Sequence, residues 1–563
     1  MFVSEPELFH LRGRALECLG HIAVAVGHDV FMPYFEMGMQ AAMQGVQFED
    51  DNLKEYAYTF IANVAKVMGH NFDHLLETLV PHLLEVISEA ELTSGEQEES
   101  AGVLAEDDDE DDIPLELRFH EGFINTKKAA LTAMGSLADH TAAAFYPHLN
   151  DSLNALLAEK TGPLWSIHRL IRAEALLILQ YMVKVVCHAH GLEEPPAKGV
   201  LVELHPNVKT VLVAVMTTYV NAMVTDMEKL PVAYTLEGLE SCMQMTGVAA
   251  LAIAEESTSS TFGDLVMNNI LSLLKEKAKC QTVYAQEDDE DEDGDHDNLI
   301  TDGVCDLIAT LAKVLGEKFM EYFDHFSKHL LKYTKKNRIH SDRSMAIGCF
   351  AEVIREIGPA AGEHYAKGLF PILKAGLSDS MESVRRNTAY CVGILCENAP
   401  DSCGPMHLQM LQWLYPLCIR NSDEVISDAG GADIDNAISA VAKMIMAAPP
   451  DSIPLDQVLP VMLAAMPLRS DFGEGEFVFR CFCGLAADGN AAMMSNLPSL
   501  LIAFSQVLGD ILRYNDETKT VVLSCLKHMA NSSQHQQALQ DAFSQLMGDR
   551  PDVVETLDAA IKS

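Results

Sequence analysis

Residues 53–69, LKEYAYTFIANVAKVMG, set Leu53, Ala57, Phe60, Ile61, Val64, Val67 and Met68 on one stripe at helical spacing and end on Gly69. Such a stripe buries one side of a helix and leaves Glu55, Thr59, Ala62 and Lys66 on the other. Gly69 suits the backbone that closes a helix. The same construction recurs at 343–358, RSMAIGCFAEVIREIG, which ends on Gly358, and at 383–399, SVRRNTAYCVGILCENA, where Asp379 is placed to cap the start with Glu382 three residues on. Ala and Gly within these helices allow close crossings.

Between such helices an apolar or aromatic residue followed by Pro recurs at Met32-Pro33, Val80-Pro81, Tyr146-Pro147, Phe370-Pro371, Tyr415-Pro416, Leu459-Pro460 and Leu497-Pro498. The spacing is mostly near the roughly 40–47 residues of a HEAT unit and lengthens where polar insertions intervene. Proline is expected in the first turn of each helix, where its missing N–H has no intrahelical partner. No alternating run is long or aromatic enough to demand a sheet. The fold expected is all-α, an α-α superhelix (solenoid) of about eleven HEAT repeats.

Composition agrees. Of 563 residues, 48% are hydrophobic and 21% charged, enough apolar surface for a long continuous core. The 82 Asp and Glu against 39 Lys and Arg give a net charge of −43, which repels phosphate backbones and anionic headgroups and attracts basic proteins. Neither nucleic acid nor a membrane is an expected direct partner. The 13 Cys, Cys391, Cys396, Cys481 and Cys483 among them, lack the spacing of a disulfide framework or a zinc site and fit a reducing compartment. There is no basic-then-apolar leader and no run of about 18 uncharged apolar residues.

Two stretches interrupt the helical pattern. From Leu92 to Ile113 there is no Lys or Arg, and the stretch ends in Glu106, Asp107, Asp108, Asp109, Glu110, Asp111 and Asp112. The second is EDDEDEDGDHD, 287–297, opening on Glu287, Asp288, Asp289 and Glu290. Blocks of like charge stay solvated, so both are read as acidic loops, steering basic partners or acting as plain spacers. The expected organisation is HEAT repeats over 1–91, an acidic loop over 92–113, repeats over 114–286, an acidic loop over 287–297 and C-terminal repeats over 298–563. The opening helix, LRGRALECLGHIAVAVG at 11–27, looks like the second helix of a pair and is too apolar for a terminal cap, which suggests a start inside a larger solenoid. The polar end, RPDVVETLDAAIKS at 550–563, suits a C-terminus.

LRGRALECLGHIAVAVG, the stretch from Tyr56 to Glu85, IPLELRFHEGFINTKKAALTAMGSLADHTAAAFYPHL at 113–149, and DRSMAIGCFAEVIREIG followed by SVRRNTAYCVGILCENA resemble repeats of the karyopherin-β (importin-β) superfamily. Within it the importin-4 type is nearest, because an acidic loop leads straight into LELRFHEGFINTKKAAL; the importin-5 type shares the first two stretches. The resemblance implies the C-terminal, cargo-binding half of a nuclear import receptor that shuttles between cytoplasm and nucleus. Its implied partners are basic nuclear localisation segments, core histones or ribosomal proteins on an acidic concave face, and Phe-Gly nucleoporins. It further implies Ran-GTP, bound mainly through amino-terminal repeats outside this chain. Neither a cofactor, a metal nor an enzymatic step is implied. A non-transport HEAT scaffold and a histone chaperone are the alternative readings.

Helical geometry nominates the residues that would meet cargo. On the 383–399 helix Val384, Thr388, Cys391, Val392 and Leu395 face the core, leaving Arg386, Tyr390, Gly393 and Glu397 opposite and Asn387 on the flank. Neighbouring helices add Glu352 and Arg355 on one side and Asn436, Ser439 and Lys443 on the other, with Glu55 near the start. Carboxylates there would receive Lys or Arg ends, while Asn and Tyr would serve backbone and stems. Any one of these residues is also consistent with an ordinary solvated face. Arg385 is read as structural, part of an inter-repeat Asp–Arg ladder. Asp471-Phe472-Gly473 spells a kinase triplet without the rest of a kinase, and the Asp-rich 289–300 stretch lacks the closing Glu of a calcium loop.

Overall fold

The computed structural model describes residues 5–89, 115–255, 260–282, 293–420, 430–510 and 512–562. The acidic residues Glu106–Asp112 and Glu287–Glu290 lie outside them. The chain divides into two compact units, Met1–Leu315 and Gly316–Ser563.

In the first unit an inner row runs through α1 (Phe9–Val26), α2 (Asp51–Met68), α3 (Leu115–Thr141) and α4 (Arg169–Ala189). After the outer helix α5 (Pro206–Thr225) the row continues through α6 (Lys229–Thr246) and α7 (Asp293–Leu315). Each inner helix packs on the next, and the helices between them form an outer row. The expected stripe on α2 is buried except for Val67, and Gly69 closes that helix at φ +47. By length and composition α5 could cross a membrane, but half of it is buried against its neighbours, as in a core helix.

In the second unit the inner row is α9 (His340–Ile357), α11 (Glu382–Asn398), α13 (Ala432–Ala447), α15 (Gly475–Ala487) and α17 (Asp516–Asn531). Outside it lie α8 (Met320–Tyr333), α10 (Pro359–Gly376), α12 (His407–Cys418), α14 (Leu455–Ala464) and α16 (Leu497–Gly509). The inner helices start 42, 50, 43 and 41 residues apart. Among the described residues six inner helices lie in one unit and five in the other. Among the described residues there is no strand, only an isolated bridge between Ala254 and Thr261. The fold is an all-α repeat solenoid.

Three local expectations need correction. Most of the marker prolines do not open helices: Pro81, Pro371, Pro416 and Pro460 sit inside outer helices, and Pro498 alone lies in a first α-helical turn. All four internal prolines are exposed, so the carbonyl deprived of its partner faces water, where the loss is tolerable. Asp379 does not cap α11, whose N-cap is Met381. It accepts the Met381 N–H at 3.0 Å in an Asx turn, while Glu382 reaches forward to the N–H groups of Gly431 and Ala432 at 2.8 and 3.1 Å, capping the next inner helix. Finally, helix α7 begins at Asp293, so the end of the 287–297 stretch is helical; acidic residues suit the positive end of the helix dipole.

The Asp–Arg ladder connects successive repeats. Arg343 donates to both oxygens of Asp379 at 3.1 and 2.9 Å, and Arg385 donates to Asp433 at 2.7 Å. Arg172 and Asp226 repeat the motif in the first unit at 2.9 and 3.0 Å.

Candidate binding faces of the inner helices

Along α11 the core positions Val384, Thr388, Cys391, Val392 and Leu395 are buried. Gly393, assigned to the open side, is buried too, because α13 crosses so closely that a Cβ there would lie 2.9 Å from Lys443 Cδ and 3.1 Å from Ala440 Cα. Tyr390 donates its hydroxyl to Glu352 at 2.8 Å and accepts from Arg355 at 2.8 Å, and Arg355 pairs with Glu352. Burial is the main cause raising the Tyr390 phenol well above its ordinary value, with Glu352 adding to it. This closed triangle links α9 to α11 and leaves the Arg355 guanidinium half exposed.

Asn387 donates to the Ser344 carbonyl and hydroxyl at 3.0 and 2.9 Å, a staple between the same two helices. Arg386 is half exposed and reaches Asp471 at 3.1 Å. Glu397 is exposed, with no hydrogen bond or ion pair among the described residues. Its carboxyl is nevertheless held above the usual range, mainly because crowding protein displaces water, with Lys443 opposing the shift and Glu474 adding to it.

Asn436 corrects the expectation most clearly. It is only 2% exposed and donates to Asp471 at 2.9 Å. Ser439 and Lys443 are buried with it: both donate to Glu474 Oε2, Lys443 at 2.9 Å, and the Lys443 ammonium lies 3.9 Å from the centre of the Phe477 ring. The cover is the segment leading into α15. Asp435 fastens it by accepting the N–H groups of Arg469, Ser470 and Asp471 at 2.9, 2.8 and 2.9 Å. The kinase-like triplet at Asp471 thus serves to close α13 off from solvent.

In the first unit Glu55 is partly exposed, and its carboxyl is raised first by desolvation and then by Glu17, with Lys128 and Arg14 opposing. Lys128, which acts on Glu55, also acts on the first of a group of acids the sequence reading missed. Glu174 on α4 is 6% exposed, accepts from Thr132 at 2.7 Å and is likewise raised by burial. Glu237 on α6 is exposed and raised by desolvation and by Glu240, which itself accepts from Thr310 of α7 at 3.0 Å. Tyr181 and Tyr234, both half-buried, stand beside Glu174 and Glu237, and the Tyr181 phenol is pushed up to about 12 by burial, then by Asp139, with Glu237 and Glu174 adding to it. The signal that would have found the group is repeat spacing: Glu174 follows its partner Thr132 by 42 residues, one HEAT period.

Carboxylates that are short of water and repel one another are stabilised when a cation arrives, and tyrosines among them can flank an aliphatic or guanidinium stem.

Comparison with known proteins agrees with this architecture. The HEAT repeat family model matches residues 369–399, the α10–α11 pair. A probable importin subunit beta-4 of Schizosaccharomyces pombe is 27% identical over 94% of this chain and 50% of its own length. Importin-4 of Mus musculus is 24% identical over 98% of this chain and 50% of its own length. The karyopherin Kap121p, in its crystal structure with the SUMO protease Ulp1p, superposes with a TM-score of 0.67 at 14% identity, covering 98% of this chain and 49% of Kap121p. Its structure bound to RanGTP superposes with a TM-score of 0.64 at 15% identity, covering 99% of this chain and 50% of Kap121p. The chain spans about half the length of the relatives it matches. In sequence the chain is similar to these importins, and in repeat architecture it is similar to the karyopherin Kap121p.

Proposed function

We propose that this chain is the cargo-binding part of a nuclear import receptor and holds Lys- and Arg-rich segments on the inner-helix faces. Core histones, ribosomal proteins and other carriers of basic localisation segments fit that chemistry. The observation that carries the reading is the set Glu55, Glu174, Glu237 and Glu240 on the inner helices, in which burial raises the carboxyls of Glu55, Glu174 and Glu237 and Tyr181 and Tyr234 stand among them. A surface lysine replaces the water those carboxylates lack, so attraction is local as well as long-range. In the second unit Glu397 is the open carboxylate, with the Glu352–Tyr390–Arg355 triangle beside it.

The acidic stretches Glu106–Asp112 and Glu287–Glu290 would add long-range steering of basic cargo. Ran-GTP and Phe-Gly nucleoporins are the partners proposed for the whole receptor, and Kap121p, a protein of the same fold, is known bound to RanGTP. Transport would place the protein in cytoplasm and nucleus in turn.

The test is binding of a labelled histone-tail peptide to the wild type and to Glu55→Lys/Glu237→Lys by fluorescence anisotropy over a salt series. The expected result is salt-sensitive binding, weakened about tenfold or more by the double reversal. Equal affinity for both proteins at every salt concentration would remove the reading.

A further inference from the structure

On the outer side of the second unit a groove of about 460 Å³ lies between α8 and α10. Its floor is apolar, formed by Leu331, Ile347 and Ile372. Gly368 leaves it open: a Cβ there would meet nothing within 4 Å. The rim is cationic, with Lys335 and Lys336 both exposed and without an ion pair among the described residues. The lining contains a single carboxylate, Asp379, and Arg343 already neutralises it through two hydrogen bonds.

The charge here runs against the rest of the molecule. Lys328, Lys332, Lys335, Lys336, Arg338 and Arg343 fall within 328–343 beside one acid, Asp342, in a chain whose acids outnumber its bases 82 to 39. Asp342 is itself occupied by Arg338 at 2.8 Å. Lysines placed only for solubility would be dispersed, whereas these edge an apolar slot.

We propose that this groove is a docking site for an acidic peptide segment of a partner protein, one that inserts a single aromatic or large aliphatic side chain between α8 and α10. Its flanking Asp or Glu residues meet Lys335 and Lys336. The apolar floor selects a peptide with a side chain to bury over a bare polyanion, and the lysines select an acidic flank over a neutral one. The site is of opposite charge to the proposed cargo face and is independent of it.

The probe is a short fluorescent peptide of Glu and Asp with one central Phe, titrated against the full chain. Its controls are the same peptide with Gln and Asn replacing the acids, and an all-acidic peptide without Phe. Saturable binding of the first probe is expected, weakened about tenfold or more by Lys335→Glu/Lys336→Glu and by Gly368→Leu, which fills the slot at an exposed helical position. Both variants should keep the wild-type thermal midpoint and the wild-type affinity for a basic histone-tail peptide. Equal binding of the neutral control would show a merely greasy groove, and equal binding of the Phe-less control a merely basic patch. Either result, or no saturable binding of the first probe, overturns the proposal.

Discussion

The carboxylate of Asp435 accepts the backbone N–H of Ser470 at 2.8 Å, pinning the approach to one repeat onto the inner helix of the one before. Arg469 and Asp471 donate to the same oxygen, and the whole carboxyl is buried. Removing a buried acceptor that serves three part-buried backbone donors leaves those donors unpaired. Asp435→Ala is therefore expected to lower stability by about 2–3 kcal/mol and to speed amide exchange at 469–474, measured by urea titration and hydrogen exchange. Unchanged exchange there would mean the segment is held by its side chains alone.

Asp433 is fully buried between two guanidinium groups, Arg385 at 2.7 Å and Arg420 at 2.8 and 2.9 Å. Asp433→Ala strands both cations and is expected to destabilise the protein by about 3–5 kcal/mol. Arg386→Ala breaks a pair whose arginine is half exposed and should stay within about 1 kcal/mol. Urea midpoints of the two variants, compared with the wild type, check the contrast; equal losses would contradict it.

Glu174 gives a pH-dependent prediction. Its carboxyl is raised in the folded chain, so between the unfolded and folded values the native state binds more protons, and stability falls as pH rises through that window. Glu174→Gln keeps a carbonyl for Thr132 but cannot ionise. It should be more stable than the wild type at neutral pH, with the gain vanishing below about pH 4, where the unfolded carboxyl is protonated as well. A gain of the same size at both pH values would point to packing instead of charge.

Much of the architecture is legible in the residues because it depends on local spacing. The stripe from Leu53 to Met68, the closing glycines Gly69 and Gly358 and the role of Arg385 all follow from helical periodicity within one or two repeats. Asn436 could not be read the same way. Its exposure is decided by the 469–474 segment, and nothing within α13 announces that a later loop will fold over it. Asn387 is similar: a polar residue on a helix flank is as well suited to Ser344 as to cargo. The Glu174–Glu237 grouping was missed because its members are spread over separate apolar helices and come together only when α4 and α6 stand side by side.

Gly362 reports on the pairing itself. A Cβ on α10 at this position would lie 2.2 Å from the Asn398 carbonyl oxygen, a backbone atom that cannot swing aside. Gly362→Ala should cost about 1–3 kcal/mol by forcing α10 away from α11, despite the better helix propensity of alanine. A thermal midpoint at or above that of the wild type would show that the two helices have room to separate.

The central claim, that basic polypeptides lie against the inner helices, is tested most directly by a histone-tail peptide carrying a photoreactive side chain beside its lysines. After irradiation the crosslinked residues are mapped by mass spectrometry. The account predicts crosslinks on α2, α4 and α6 near Glu55, Tyr181 and Glu237, competed by unlabelled peptide and lost at high salt. Competed crosslinks confined to the outer helices would contradict it.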